Sequence, residues 1–149
     1  MLFRSWRVGW LEAPPALGQI IENLIQYSSS GVATATQRAA AAALTDGEYF
    51  VETQIARMRE SRRILCDGLA ATGRAAFAEP PGSFYLFSRF EGFEDTRTIA
   101  LRLIEEAGVG VAPGTAFGPG GASFMRMCFA RDPKEISQAV ERLGEWLRK

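Results

Sequence analysis

The sequence predicts an α/β layered unit, a small and mostly antiparallel sheet with helices packed against it. Two observations carry that reading. From Pro14 to Thr72 the apolar residues recur at helical spacing, and from Arg74 onward short alternating stretches interleave with further helical ones. Glycine and proline mark the changeovers, at Pro80-Pro81-Gly82, at Gly108 and through "GTAFGPGG".

In chain order, "SWRVGWL" alternates Trp6, Val8 and Trp10 against Arg7 and Gly9, a strand pattern with no evident partner inside the unit. Pro14-Pro15 then opens a helix with Leu17, Ile20, Ile21, Leu24 and Ile25 on one stripe, broken by "SSSG" at 28–31. "VATATQRAAAAAL" is alanine-rich and predicts a second helix, ending near Asp46-Gly47. A long helix runs from Glu48 to Thr72, its stripe Val51, Ile55, Met58, Leu65 and Leu69, with Gly73 as its stop.

"RAAFAEPPGSFYLFSRF" predicts two strands joined near Pro80-Pro81-Gly82. Asp95 caps a helix carrying Ile99, Leu103, Ile104 and Ala107, which stops at Gly108. "VGVAP" is a short strand, "GTAFGPGG" a tight loop and "SFMRMCFA" another strand. Asp132-Pro133-Lys134-Glu135 starts the last helix, with Ile136, Val140, Leu143 and Leu147 facing inward.

The 149 residues fit one ordinary domain, with an apolar fraction of 47% and a charged fraction of 23%. Seventeen basic and seventeen acidic side chains cancel. Neither nucleic acid nor an acidic membrane is expected as a partner. The absence of histidine removes imidazole metal sites, Ser-His and Cys-His nucleophiles and the usual neutral-pH base. Cys66 and Cys128 read as buried free thiols of a reducing compartment, too few to hold zinc. The N-terminal stretch lacks the uninterrupted apolar core of a signal peptide and no segment is long enough to span a bilayer, so a cytoplasmic protein is expected.

The glycine-rich loop lacks the Gly-Lys-Ser/Thr ending of a phosphate cradle and leads into a strand, so its job is to turn the chain and aim that strand. The strand carries Arg126 in the middle of an apolar run. Arg126 shares a face with Phe124 and Cys128, while Met125, Met127 and Phe129 take the other. A charge so placed calls for an anion, and arginine's fork suits a carboxylate. Two plainer explanations stand beside it: a structural ion pair with an Asp or Glu, or a side chain snorkelling to water. Arg7 is a parallel case, suited to phosphate or carboxylate, and equally to a cation–π contact or a solvated face. Tyr85 and the serines of "YSSSG" are candidate hydrogen-bond donors, or a core aromatic and a helix-breaking turn.

Taken together, four collinear segments resemble the class I/II, aspartate-aminotransferase-like enzymes that use pyridoxal phosphate. "SWRVGWLEAP" is similar to the family's "GWRxGW" strand, and "ATATQRAAAAAL" to the opening of its long interdomain helix. "PPGSFYLF" is similar to the "PxGGFYLF" hairpin, and "EEAGVGVAPGTAFGPGG…FMRMCFA" to the "PGxxFG…xRxxFA" ending. The resemblance implies the small C-terminal domain of a pyridoxal-phosphate-dependent transferase fold over residues 31–149, preceded at 1–30 by a trailing strip of the large domain.

It further implies that Arg126 grips the substrate α-carboxylate and Arg7 pairs with the cofactor phosphate. The "SSSGVATATQ" stretch corresponds to a region near the boundary of a homodimer. On this register the family's Schiff-base lysine falls shortly before Met1, and the lysines present, Lys134 and Lys149, match no such position. The resemblance therefore implies a C-terminal portion of an aminotransferase that exchanges an amino group between an amino acid and a 2-oxo acid, with no catalytic lysine and no activity by itself. A lyase or decarboxylase relative is the variant within the family. A non-catalytic remnant, or a dimerisation or regulatory module of the same fold, is the alternative outside it.

Overall fold

The computed structural model describes residues 2–3 and 6–148. These form five α-helices and a four-stranded antiparallel sheet within an α/β fold, divided into two compact units, Met1–Glu52 and Thr53–Lys149.

In the first unit, strand β1 (Leu2–Phe3) pairs antiparallel with β2 (Val8–Gly9), Phe3 opposite Val8. The opening strand thus has a partner, supplied by residues the sequence pattern left out. It is also shorter than the alternation of Trp6, Val8 and Trp10 predicts. Trp6 and Arg7 form a turn, and Arg7 adopts a left-handed φ of 56°, which ends extended backbone there. A short 3₁₀ turn at Pro15–Leu17 leads into α1 (Gly18–Ser28), and α2 (Thr34–Asp46) comes next. The stripe of α1 forms at the expected spacing, yet no side chain of α1 or α2 is buried. The serines close α1 locally, Ser28 and Ser29 donating to the Leu24 and Ile25 carbonyls.

Helix α3 (Glu48–Ala71) runs on into the second unit, where Ser61, Leu65, Cys66 and Leu69 are buried. Strands β3 (Ala75–Phe77) and β4 (Tyr85–Phe90) form the expected hairpin, and α4 (Thr96–Arg102) continues into a π-helical turn at Leu103–Ala107. Asp95 caps α4 by accepting from the Thr98 N–H. Gly108 stops the segment with φ 66°, the left-handed bend that lets its N–H and that of Val109 reach back to the Ile104 and Leu103 carbonyls. Then come β5 (Ala112–Pro113), β6 (Met125–Cys128) and α5 (Pro133–Leu147), the last capped by Asp132 on the Lys134 N–H at 2.9 Å.

Sheet order is β3-β4-β6-β5, every neighbour antiparallel. Alternation along β4 and β6 turns Leu86, Ser88, Phe90, Met125 and Met127 to one face, where all are buried. The apolar ones merge with Leu65 and Leu69 of α3, Ile99 and Leu103 of the α4 segment, and Ile136, Leu143 and Leu147 of α5 into one core. Each such side chain taken wholly from water contributes roughly 1.5–3 kcal/mol. Polar ties hold the connections: Ser61 donates to the Arg131 carbonyl at 2.9 Å, and Arg62 to the Pro80 carbonyl at 2.7 Å.

Candidate functional site

The second face of the sheet is where the predicted site residue lies. Because Met125 and Met127 point into the core, Arg126 between them must point away from it, and it is half-buried there. It lies opposite Phe87 on β4 and Ala112 on β5, while Cys128 lies opposite Tyr85. Phe87, Phe124 and Tyr85 share its partly covered state. Cys66 is the buried thiol the sequence predicts. Cys128 is not, being exposed, because its strand parity puts it on Arg126's side of the sheet.

The guanidinium carbon of Arg126 sits 4.0 Å from the ring centroid of Tyr85 and 4.4 Å from that of Phe117. Such contacts stabilise a cation by about 0.5–2 kcal/mol each, more as water is excluded. Among the described residues no acidic side chain forms an ion pair with Arg126, and no hydrogen bond takes up its N–H groups. Of the plainer explanations, the structural ion pair is therefore absent among those residues. An aromatic setting replaces it.

Phe117 reaches this place through the loop between β5 and β6. Two 3₁₀ turns, Gly114–Phe117 and Pro119–Gly121, fold the segment back on itself. The Gly114 N–H donates to the Phe124 carbonyl at 2.7 Å, and the Phe124 N–H to the Gly121 carbonyl at 2.9 Å. Gly114 and Gly121 approach so closely that a methyl group on either would drive into the other's carbonyl oxygen. Thr96, buried at the start of α4, ties down the loop's end by donating to the Ala122 carbonyl at 3.0 Å. The ring of Phe117 then packs edge-on against Phe87, centroids 5.5 Å apart, and Phe84 lies against Tyr85 at 4.4 Å.

This arrangement presents a planar five-donor cation, unpaired among the described residues, on a partly apolar face. Its chemistry is recognition of a planar anion such as a carboxylate. The aromatic partners were not legible in the sequence. The sequence pattern offers Tyr85 as a hydrogen-bond donor or core aromatic and gives Phe117 no role; only the β4–β6 register and the folded loop bring them to Arg126.

Arg7 belongs to the first unit. It is exposed at the Trp6-Arg7 turn, and among the described residues no carboxylate pairs with it. The alanines of α2 have a packing role nearby: Ala39, Ala40 and Ala43, with Thr36, line a shallow apolar pocket with Trp6 and Val8. Cys66 is not poised for nucleophilic work, since burial pushes its thiol up from the ordinary value. Among the described residues no cluster of acidic or cysteine side chains has the makings of a metal site, and no helix is long and apolar enough to cross a membrane.

Comparison with known proteins gives a consistent picture. The model of the family "Aminotransferase class I and II" matches residues 1–143. The chain is 31% identical over 146 residues to a valine–pyruvate aminotransferase of Mycobacterium tuberculosis, covering 96% of this chain and 38% of that protein. It is 32% identical over 144 residues to an aspartate aminotransferase of Thermotoga maritima, covering 96% and 36%. Among solved structures it is similar to an aminotransferase from Mycobacterium tuberculosis, with a TM-score of 0.87 at 30% identity over 97% of this chain and 38% of the other. An aromatic aminotransferase from Pyrococcus horikoshii gives 0.86 at 28% identity, over 98% and 40%. The chain thus spans less than half the length of each of these relatives.

Proposed function

The chain belongs to the class I and II aminotransferase family, and on that premise we propose that it is the C-terminal portion of an enzyme moving an amino group between an amino acid and a 2-oxo acid. Residues 31–149 are then its small domain and 1–30 a trailing strip of the large one. Arg126 receives the substrate α-carboxylate, a homodimer is the working assembly, and the cytoplasm is its compartment. The single observation that carries this reading is the guanidinium of Arg126, unpaired among the described residues, on the face of the sheet turned away from the core.

The family's cofactor is pyridoxal phosphate, and the residues present fit one end of it. Arg7 is an exposed cation free of carboxylate partners among the described residues, as a phosphate contact requires. When bound, the group supplies an aldehyde that takes up the amino group and a ring that withdraws electrons. This chain's own contribution is orientation: Arg126 fixes the substrate by its carboxylate, so that the amino group and α-carbon are held in one place. The lysines are Lys134, exposed on α5, and Lys149. That observation favours a second reading, a non-catalytic module of the same fold.

Mass spectrometry of the protein from its source cells separates the two. A longer product is expected, with a lysine-bearing peptide continuous with Trp6-Arg7-Val8-Gly9-Trp10, that transaminates when purified. Arg126→Met in that product is expected to raise KM for the amino acid by at least about tenfold, the loss of a charge-assisted bidentate contact. A cellular protein without such a lysine and without turnover leaves the non-catalytic module in its place.

A further inference from the structure

A cation that must stay ready for an anion faces a conflict in a half-buried place. Left bare, it loses hydration without return; paired with a carboxylate, it is neutralised, and an incoming anion must displace that partner. Aromatic faces avoid both outcomes. The ring quadrupole attracts the cation along the ring normal, whereas the guanidinium N–H donors lie in the guanidinium's own plane. Stacking on the faces and hydrogen bonding at the edge therefore do not compete.

Arg126 has this setting, with Tyr85 and Phe117 at 4.0 and 4.4 Å and no ion-pair or hydrogen-bond partner among the described residues. Each ring is itself supported, Tyr85 by Phe84 and Phe117 by Phe87. Phe87 is also the cross-strand partner of Arg126, so strand register and loop fold converge on one guanidinium. We propose that Tyr85 and Phe117 are positioning residues, which hold the Arg126 guanidinium in one orientation, stabilised yet un-neutralised, for a ligand carboxylate to engage along its N–H edge. This rests on the reading of Arg126 as the carboxylate receptor. It adds that the β5–β6 loop belongs to the receptor through a residue that need not touch the ligand.

The test is a titration of the isotopically labelled 149-residue chain with sodium propionate, following the Arg126 Nε–Hε signal by NMR, against chloride at equal ionic strength. Arg126→Met identifies the signal. In the unaltered chain a saturable, propionate-specific shift and a rigid Nε are expected. Phe117→Leu and Tyr85→Leu are each expected to weaken propionate about three- to tenfold and to loosen the Nε, as loss of one cation–π contact implies. Tyr85→Phe keeps the ring and is expected to stay within about twofold of the unaltered chain. Phe117 is 46% exposed, so its leucine variant carries the result if Tyr85→Leu disturbs the Leu86 and Met127 core signals. A propionate response unchanged in order and affinity by Phe117→Leu overturns the positioning role alone. An unaltered chain in which propionate does no more than chloride overturns the carboxylate reading, and the positioning role with it.

Discussion

On one face of the sheet, Leu86, Met125 and Met127 are shut off from water and join side chains from three helices; on the other, Tyr85, Phe87 and Arg126 of the same two strands stay partly in solvent. Neighbouring residues, sharing hydrogen bonds and register, thus serve opposite ends. The first face is close-packed and apolar, so its residues act on stability. The second keeps a cation among aromatic rings partly in solvent, so on the proposed reading its residues act on recognition and contribute little to holding the fold. A strand can be read for function by parity: what matters is which side of it a side chain leaves.

The largest break in that contrast is a truncation on the core face. Leu86→Ala, at a wholly buried position, is expected to lower the unfolding free energy by about 2–5 kcal/mol in urea titrations, against under about 1 kcal/mol for Phe117→Leu. Ser88 sharpens the contrast with the opposite sign. Its hydroxyl is buried on the core face with no hydrogen-bond partner among the described residues, so Ser88→Ala is expected to stabilise by about 1 kcal/mol. A destabilised Ser88→Ala would mean that the hydroxyl is satisfied after all.

A smaller stability effect comes from Arg126→Met, within about 1 kcal/mol of the unaltered chain, because an apolar chain of similar length suits the rings as well as a cation does. Its propionate response should vanish nonetheless. Thiol chemistry offers a finer probe. A maleimide should label exposed Cys128 rapidly and buried Cys66 only on unfolding, and the Cys128 adduct, on Arg126's side of the sheet, should weaken propionate.

The smallest effect concerns acid. Hydrogen bonds from the Thr98 hydroxyl and N–H hold the Asp95 carboxyl below its ordinary value. The folded state therefore gains from this cap above the unfolded carboxylate value near about 4 and loses it as pH falls through the lower folded value. Asp95→Asn should flatten that part of the acid-unfolding profile.

Parity and punctuation made much of this legible in advance. Alternation alone separates Met125, Met127 and Phe129 from Phe124, Arg126 and Cys128 on the two faces of the strand, without saying which face is the core, and Asp95, Gly108 and Asp132 mark helix ends from their residue types. Alternation failed at Trp6-Val8-Trp10, where one left-handed residue, Arg7, cut the strand short. At Cys128 alternation holds, and it is the expectation of a buried thiol, resting on cysteine's general preference for burial, that strand parity overrides. The stripe of α1 was correctly spaced, but periodicity reports only that an apolar face exists and not what covers it. The setting of Arg126 lay beyond sequence reasoning because it depends on contacts distant in the chain, Tyr85 through sheet register and Phe117 through a loop closed by two apposed glycines.

The helices α1 and α2 bury no side chain, and this has a calorimetric consequence. The heat-capacity step on unfolding scales with apolar surface newly wetted, and surface already wet adds nothing to it. Melting of α1 and α2 would absorb the heat of broken backbone hydrogen bonds while leaving the baseline nearly level. A scan of the chain should therefore show a step sized for Thr53–Lys149 alone, and amide protons in the two early helices should exchange by local opening, long before the core yields.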